Sequence, residues 1–426
     1  MTQEKPDEGR LLIYAPVPVF GTPDGWIVER QAANGLRLWA ANFDHVTVMM
    51  PHQDGQPPIG WVPFDQVGEN AARITIVALP TAWSLAKFAK TYRKTKAVIR
   101  DEIDRADYLS FAIGGLVGDW GAVASQQAHK MGRQFAAWTD RVESQVTRIE
   151  AKTGPLKSRI KKRVIHRPMA QLERYVIRRA ALGLFHGQQT YDTYAPYCSN
   201  PQIVHDIHIG RDAHITEDAF KAKQASAAKD PLRIVYAGRA TAMKGPLLWA
   251  TALQKLHQAG IDFEAHWLGD GPLLEDLRAQ LQADGLQHQT TLHGFVDDAG
   301  AVAAQMQAAH VFLFCHTTPE SPRCLIESLI AGTPIVGFDG AYAADLISAS
   351  GGGALVPIGD TDGLAKILID LANDRDKLTD LIARARQDGA PFDDVSVFKH
   401  RSDLIKRYLD PTQHKNNTTD AATTTA

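Results

Sequence analysis

Short apolar runs bounded by polar and turn-forming residues recur along the chain, with stretches of helical period between them. In the first half the runs cover 11–16, 46–51, 74–80, 108–114, 134–139, 182–187 and 203–209. Most are continuous rather than alternating, so they predict strands buried on both faces of a parallel sheet. A second series covers 232–238, 262–269, 290–294, 311–316, 334–338 and 354–357, with helices such as 246–259 and 273–284 between them. The same alternation appearing twice predicts an α/β chain of two doubly wound, Rossmann-like domains.

Between the two series, 221–230 is rich in Ala and Lys and has no apolar period, which predicts a linker. The expected division is a flexible N-terminal segment 1–10, a first domain 11–220, a linker 221–231, a second domain 232–410 and a tail 411–426. The tail, made of Asn, Thr and Ala without large apolar residues, predicts disorder. A length of 426 residues suits two cores of ordinary size.

Composition narrows the class. With 44% hydrophobic and 22% charged residues, the chain falls among soluble globular proteins. A net charge of -2 gives no overall signal for nucleic acid. Cys198, Cys315 and Cys324 are too few and too scattered for a disulfide framework or a zinc site, which points to a reducing, cytoplasmic setting. The polar start and the prolines Pro16 and Pro18 predict neither a signal peptide nor a spanning helix. Any contact with the inner face of the cell membrane is therefore expected to be peripheral.

Candidate chemistry concentrates beyond strand ends. Run 232–238 leads into Gly238-Arg239-Ala240-Thr241-Ala242-Met243-Lys244-Gly245 and then a helix. Two cations thus stand at the carboxyl end of a parallel strand, where ligands of open α/β sheets bind. The Arg239 fork and the compact Lys244 charge suit a diphosphate, and Gly238 and Gly245 let the backbone approach it. A turn carrying two solvated cations describes the same pattern equally well. After run 311–316 comes Thr318-Pro319-Glu320-Ser321-Pro322-Arg323-Cys324-Leu325-Ile326-Glu327. Ser321 reads as an N-cap, Pro322 as the first helical residue, and Gly332 with Pro334 as the stop. The first-turn N–H groups of such a helix form an anion site. Glu320 and Glu327 can then accept hydrogen bonds from different hydroxyls of one long ligand.

At these residues the chain resembles the retaining glycosyltransferases of family 4, the group 1 glycosyl transferases, whose GT-B fold sets two Rossmann-like domains across a cleft. Leu268-Gly269-Asp270-Gly271-Pro272 and His293-Gly294-Phe295-Val296 extend the likeness. The resemblance implies that Arg239 and Lys244 hold the diphosphate of a nucleoside diphosphate-sugar and that Glu327 holds the ribose hydroxyls. It places Phe295 beside the base, and Gly238, Gly271, Pro272, Ser321, Arg323, Cys324 and Leu325 around the nucleotide-sugar. Glu320 would meet the donor sugar. Anchored on Glu327 and Gly332-Thr333-Pro334, however, the family's first glutamate falls on Pro319, and Glu320 stands one position late. Phe20-Gly21-Thr22-Pro23-Asp24-Gly25 is similar to the family's first loop, with isolated glycines where the family has an adjacent pair, so Gly21 either faces the donor or belongs to an ordinary turn.

Gly118-Asp119-Trp120, Thr139-Asp140 and His186 also follow strand ends, each readable as a plain cap. Asp140, and after it Asp119, are the candidates for a polar group near the reacting carbon. Segment 156–179 carries nine Lys and Arg against one Glu, with Ile160, Val164, Ile165, Met169, Leu172, Val176 and others at helical spacing. It is either a helix packing its stripe on the domain or a site for an anionic membrane surface, which would suit a lipid-linked acceptor. No metal is expected, because Asp360-Thr361-Asp362 and Asp374-Arg375-Asp376 suit helix caps and His205, Asp206 and His208 suit packing.

The resemblance implies transfer of a sugar from a nucleoside diphosphate-sugar to a hydroxyl acceptor with retention, in cell-surface polysaccharide, lipopolysaccharide or glycolipid synthesis. The donor is the substrate, and no cofactor is expected. A sugar-nucleotide epimerase of the same architecture and a catalytically inactive membrane-surface scaffold are the competing readings.

Overall fold

The computed structural model describes residues 9–23, 25–58, 60–68, 70–152, 156–318 and 321–411. Glu320, most of the N-terminal segment 1–10 and nearly all of the tail lie outside these residues, and with them the expectations placed there. The chain divides into two compact units, Met1–His208 with Val395–Ala426, and Ile209–Asp394.

In the first unit the strands are β1 (Arg10–Tyr14), β2 (Phe20–Thr22), β3 (Gly25–Glu29), β4 (His45–His52), β5 (Trp61–Pro63), β6 (Ile74–Pro80), β7 (Tyr108–Ala112), β8 (Ala136–Thr139), β9 (Leu182–His186) and β10 (Pro201–Val204). Seven of them form a sheet in the order β10-β9-β8-β7-β1-β4-β6, parallel throughout. The continuous apolar runs follow from burial of both faces. Along β1, Leu11 and Ile13 enter one core cluster with Leu36 and Trp39, whereas Leu12 and Tyr14 enter the other with Phe111 and Trp120. Strands β2, β3 and β5 pair into a small antiparallel sheet that no apolar run announces.

Helix Asp394–Tyr408 completes the first unit. Its Phe398, Leu404 and Ile405, with Leu409 just beyond, join the core around Trp39. Its Arg401 lies 3.2 Å from Asp206 and stacks 4.9 Å from the Trp39 ring centroid. His208 approaches the same carboxylate at 3.6 Å, so Asp206 lies between Arg401 and His208.

The second unit carries β11 (Leu232–Ala237), β12 (Phe263–Leu268), β13 (Thr290–Gly294), β14 (Val311–Phe314), β15 (Ile335–Phe338) and β16 (Gly353–Val356). Their parallel sheet runs β13-β12-β11-β14-β15-β16. Counted within the unit this is 3-2-1-4-5-6, the Rossmann order, and the direction of winding reverses between β11 and β14.

The expected linker 221–231 is instead the latter part of a helix, Glu217–Ala227, capped by the Thr216 side chain, and the turn into β11. Lys223 explains the difference. Its ammonium group is buried and donates to the carbonyls of Met306 at 3.3 Å and Ala331 at 2.8 Å and to the Thr333 hydroxyl. A lysine that reads as part of a solvated segment is a core residue holding two helix ends, and its burial pushes its pKa down.

Candidate active site

All six strands of the second unit present their carboxyl ends at one edge, and the reversal between β11 and β14 opens a crevice there. The loops bordering it are bound to one another. Gly238 N–H donates to Leu268 O at 2.8 Å, Ala240 N–H to Asp270 O at 2.9 Å, Leu273 N–H to Ala240 O at 3.0 Å, and Gly269 N–H to Gly294 O at 2.8 Å. On the other side Thr317 N–H donates to Met243 O at 2.9 Å. The loop after β11 is thereby fastened to those after β12 and β14.

Two glycines make this approach sterically feasible. Gly245 has φ +62°, and a Cβ there would lie 2.2 Å from the Cys315 carbonyl oxygen. A Cβ at Gly271 would lie 2.6 Å from the Ala240 carbonyl oxygen.

Within this frame Arg239 is exposed and Lys244, at the end of the short 3-10 turn Ala242–Lys244, is half-buried. Burial, helped by the Lys244 charge, holds the imidazole of His316 well below its ordinary pKa and therefore neutral. Its Nε2 shares a 2.9 Å hydrogen bond with the buried Tyr236 hydroxyl. Neither residue was a sequence candidate; the signal was an imidazole at the end of the otherwise apolar run 311–316.

The helix after β14 spans Arg323–Ile330. Ser321 is not its cap. Pro322 holds the cap position with an extended ψ of 123°, and among the described residues no side chain caps the helix. The start therefore falls one residue later than expected, with Leu325 N–H bonding back to Pro322 O at 3.2 Å. Cys324 is half-buried and Leu325 buried. Gly332, at φ +64°, ends the helix as its sequence suggests, with its N–H on Leu329 O at 2.9 Å.

Glu327 is half-buried on the same helix. Burial pushes its carboxyl above the ordinary range, and Arg323, one turn earlier, pulls it back in part. A carboxyl raised in the folded state favours folding at low pH, and that contribution is lost as pH rises through the raised value. Glu327→Gln should therefore be more stable than the parent at neutral pH, with the gap in melting temperature closing as pH is lowered toward about 4.5. A gap independent of pH would show that desolvation of Glu327 does not matter.

The remaining candidates are spread along the edges. Phe295 follows β13 with 63% of its surface exposed, and Pro272 is exposed beyond Gly271. In the first unit Gly21 lies on β2, paired with Trp26 in the β2–β3 hairpin, so its loop is a turn of the small sheet. Asp140 is exposed in the bend after β8, beside the 2.6 Å ion pair of Arg141 and Glu143. Asp119 is a buried cap, accepting N–H bonds from Gly114 at 3.1 Å and from Gly115 and Ala122 at 2.9 Å. His186 is buried, with its ring centroid 6.2 Å from that of His205. Asp360 and Asp374 cap helices through Gly363 N–H at 2.8 Å and Lys377 N–H at 2.9 Å. Among the described residues there is no group of three or more His, Cys, Asp or Glu placed to hold a metal.

Residues 217–388 match the family model Glycosyl transferases group 1. A protein of Escherichia coli named as the colanic acid biosynthesis glycosyltransferase WcaL is 29% identical over 175 residues, 39% of this chain and 43% of its own length. The amylovoran biosynthesis glycosyltransferase AmsK of Erwinia amylovora is 26% identical over 200 residues, 45% of this chain and 49% of its own. The chain thus spans less than half the length of these curated relatives. The crystal structure of Anabaena Alr3699/HepE in complex with UDP shares the fold over 97% of this chain and 99% of that one, with a TM-score of 0.62 and 14% identity. The likeness to group 1 glycosyl transferases thus extends over residues 217–388, and the two parallel α/β units are the fold shared with the HepE structure.

Proposed function

We propose that this chain is a glycosyltransferase that moves a sugar from a nucleoside diphosphate-sugar to a hydroxyl acceptor, with retention, in the synthesis of a cell-surface polysaccharide, lipopolysaccharide or glycolipid. One observation carries the reading. The loop bearing Arg239 and Lys244 and the helix start at Arg323 flank the point where a Rossmann-ordered sheet reverses. UDP is the nucleotide in the HepE complex of the same fold and is the first candidate here.

In the reaction the bond between the anomeric carbon and the diphosphate oxygen breaks, and its electron pair leaves with the diphosphate. The acceptor oxygen bonds to that carbon on the face the diphosphate leaves, which gives retention, and its proton passes to the departing diphosphate. Charge grows on the leaving group, so fixed positive groups aimed at it lower the barrier. Arg239 supplies a planar fork, Lys244 a point charge, and the backbone at Arg323 and Cys324 a helix start. A neutral His316 leaves Lys244 as the cation at the end of β14 and orients against Tyr236. Glu327 takes the ribose hydroxyls, and Phe295 offers an exposed ring to the base. Glu320 would grip the sugar.

A screen of UDP-, GDP- and ADP-sugars against thermal unfolding tests this directly. Ligand at a hundred times its Kd stabilises the folded state by about 2.7 kcal/mol. One nucleotide series is expected to protect, and its labelled sugar to appear on an added acceptor. Protection by none of the three, with no transfer, would overturn the assignment.

A further inference from the structure

Helix Leu156–Ile177 is two helices in its environment. Its later part is anchored. Met169 is the first buried residue, Glu173 accepts from Ser144 N–H at 2.9 Å and from the Ser144 hydroxyl at 2.6 Å, and Val176 and Ile177 enter a core cluster. The cations there are engaged with rings: Arg174 and Arg178 lie over Tyr197, and Arg179 over Tyr175. The change occurs at Pro168, which cannot donate the bond that an ordinary residue would make to the preceding turn.

The earlier part looks outward. Leu156, Ile160 and Val164 are exposed at 69%, 55% and 66%. Spaced by four, they form one stripe along the helix. The exposed cations Lys157, Lys161, Arg163 and Arg167 fall on the same side. At 3.6 residues per turn, Lys157 and Lys161 border the stripe on one flank and Arg163 and Arg167 on the other. No acidic residue occurs from 156 to 172, and of the cations in this part Lys162 is paired, 2.9 Å from Glu150.

We propose that this exposed face, centred on Leu156, Ile160 and Val164 and flanked by four cations, docks on the surface of an anionic lipid bilayer. Charge selects the occupant. A lipid surface takes an apolar stripe below the headgroups while the lysine and arginine heads stay among the phosphates, and it is the partner that uses both features of this face. A polyanion would use the cations alone. The proposal is independent of the catalytic reading, because it rests on a helix that carries none of the nucleotide residues.

The test is co-sedimentation of the full chain with phosphatidylcholine vesicles, with and without phosphatidylglycerol, at low and high salt. Binding to the phosphatidylglycerol vesicles, weakened by salt, is expected. Each cation near such a surface strengthens partition by about fivefold, so Lys157→Gln, Lys161→Gln and Arg163→Gln together should weaken it by on the order of a hundredfold. Leu156→Ser, Ile160→Ser and Val164→Ser together should weaken it by about tenfold or more. All six side chains are solvent-facing, so the melting temperature and nucleotide protection should stay with the parent. Equal recovery with neutral and anionic vesicles would overturn the proposal. Heparin binding as tight as vesicle binding, with the serine variant undiminished on both, would overturn it too and reassign the face to a polyanion.

Discussion

Alanine at Arg239 or at Lys244 should lower turnover by on the order of a hundredfold or more, as the loss of one fixed charge beside a departing diphosphate predicts. The fold should survive either change. Arg239 is exposed and Lys244 half-buried, and the bonds that fasten their loop are made by backbone atoms of Gly238, Ala240 and Met243. The two variants should still differ. Arg239→Lys keeps a charge but loses the planar fork, so it should recover only part of the activity. Lys244→Ala should in addition free His316 of the charge that helps to depress its pKa, while burial continues to hold it down. The measurement is kcat at saturating donor beside the melting temperature of each protein. Parental turnover in both alanine variants would remove the diphosphate from this loop.

The architecture was legible because a strand buried on both faces must be apolar throughout, and a short continuous run between turn residues fits little else. β6 and β13 occupy the residues their runs predict, the other principal strands shift by one or two residues at their ends, and β10 alone moves further, ending at Val204 where its run reaches 209. Lys223 was illegible for the opposite reason. Burial of an ammonium group depends on carbonyls from Met306 and Ala331, remote in sequence, and no local pattern announces them. The return of helix Asp394–Tyr408 to the first unit is hidden in the same way, since Arg401 meets Asp206 from 195 positions away.

The candidate site divides along similar lines. Gly238, Gly245 and Gly271 showed in sequence as punctuation, and the structure supplies the contacts behind it, carbonyls and ring atoms that leave no room for a Cβ. Ser321 failed as a cap because the backbone torsions of Pro322, which are not written in residue type, decide where the helix begins. The Tyr236–His316 pair escaped notice since it joins two strands adjacent in space and 80 positions apart. Asp119 takes the cap that its sequence context offers, since three N–H groups of its own neighbourhood account for its carboxylate.

Gly245→Ala should be the most damaging single-methyl change in the loop that carries Arg239 and Lys244. Two costs coincide there. The left-handed φ of +62° penalises any side chain by roughly 1–2 kcal/mol. The added Cβ would also fall 2.2 Å from the Cys315 carbonyl oxygen, an overlap that only movement of the backbone relieves, at about 1–3 kcal/mol more. Gly285→Ala separates the two effects, because Gly285 has φ +75° and open space, with nothing within 4 Å of where a Cβ would stand. It should lose only the first cost and leave nucleotide protection unchanged. In Gly245→Ala the required movement draws the loop of Arg239 and Lys244 away from the end of β14, so the melting temperature should fall further and protection by the nucleotide should weaken with it. Equal losses in the two variants would mean that the loop yields freely, and that its close approach to Cys315 is not what sets the spacing between Lys244 and the helix at Arg323.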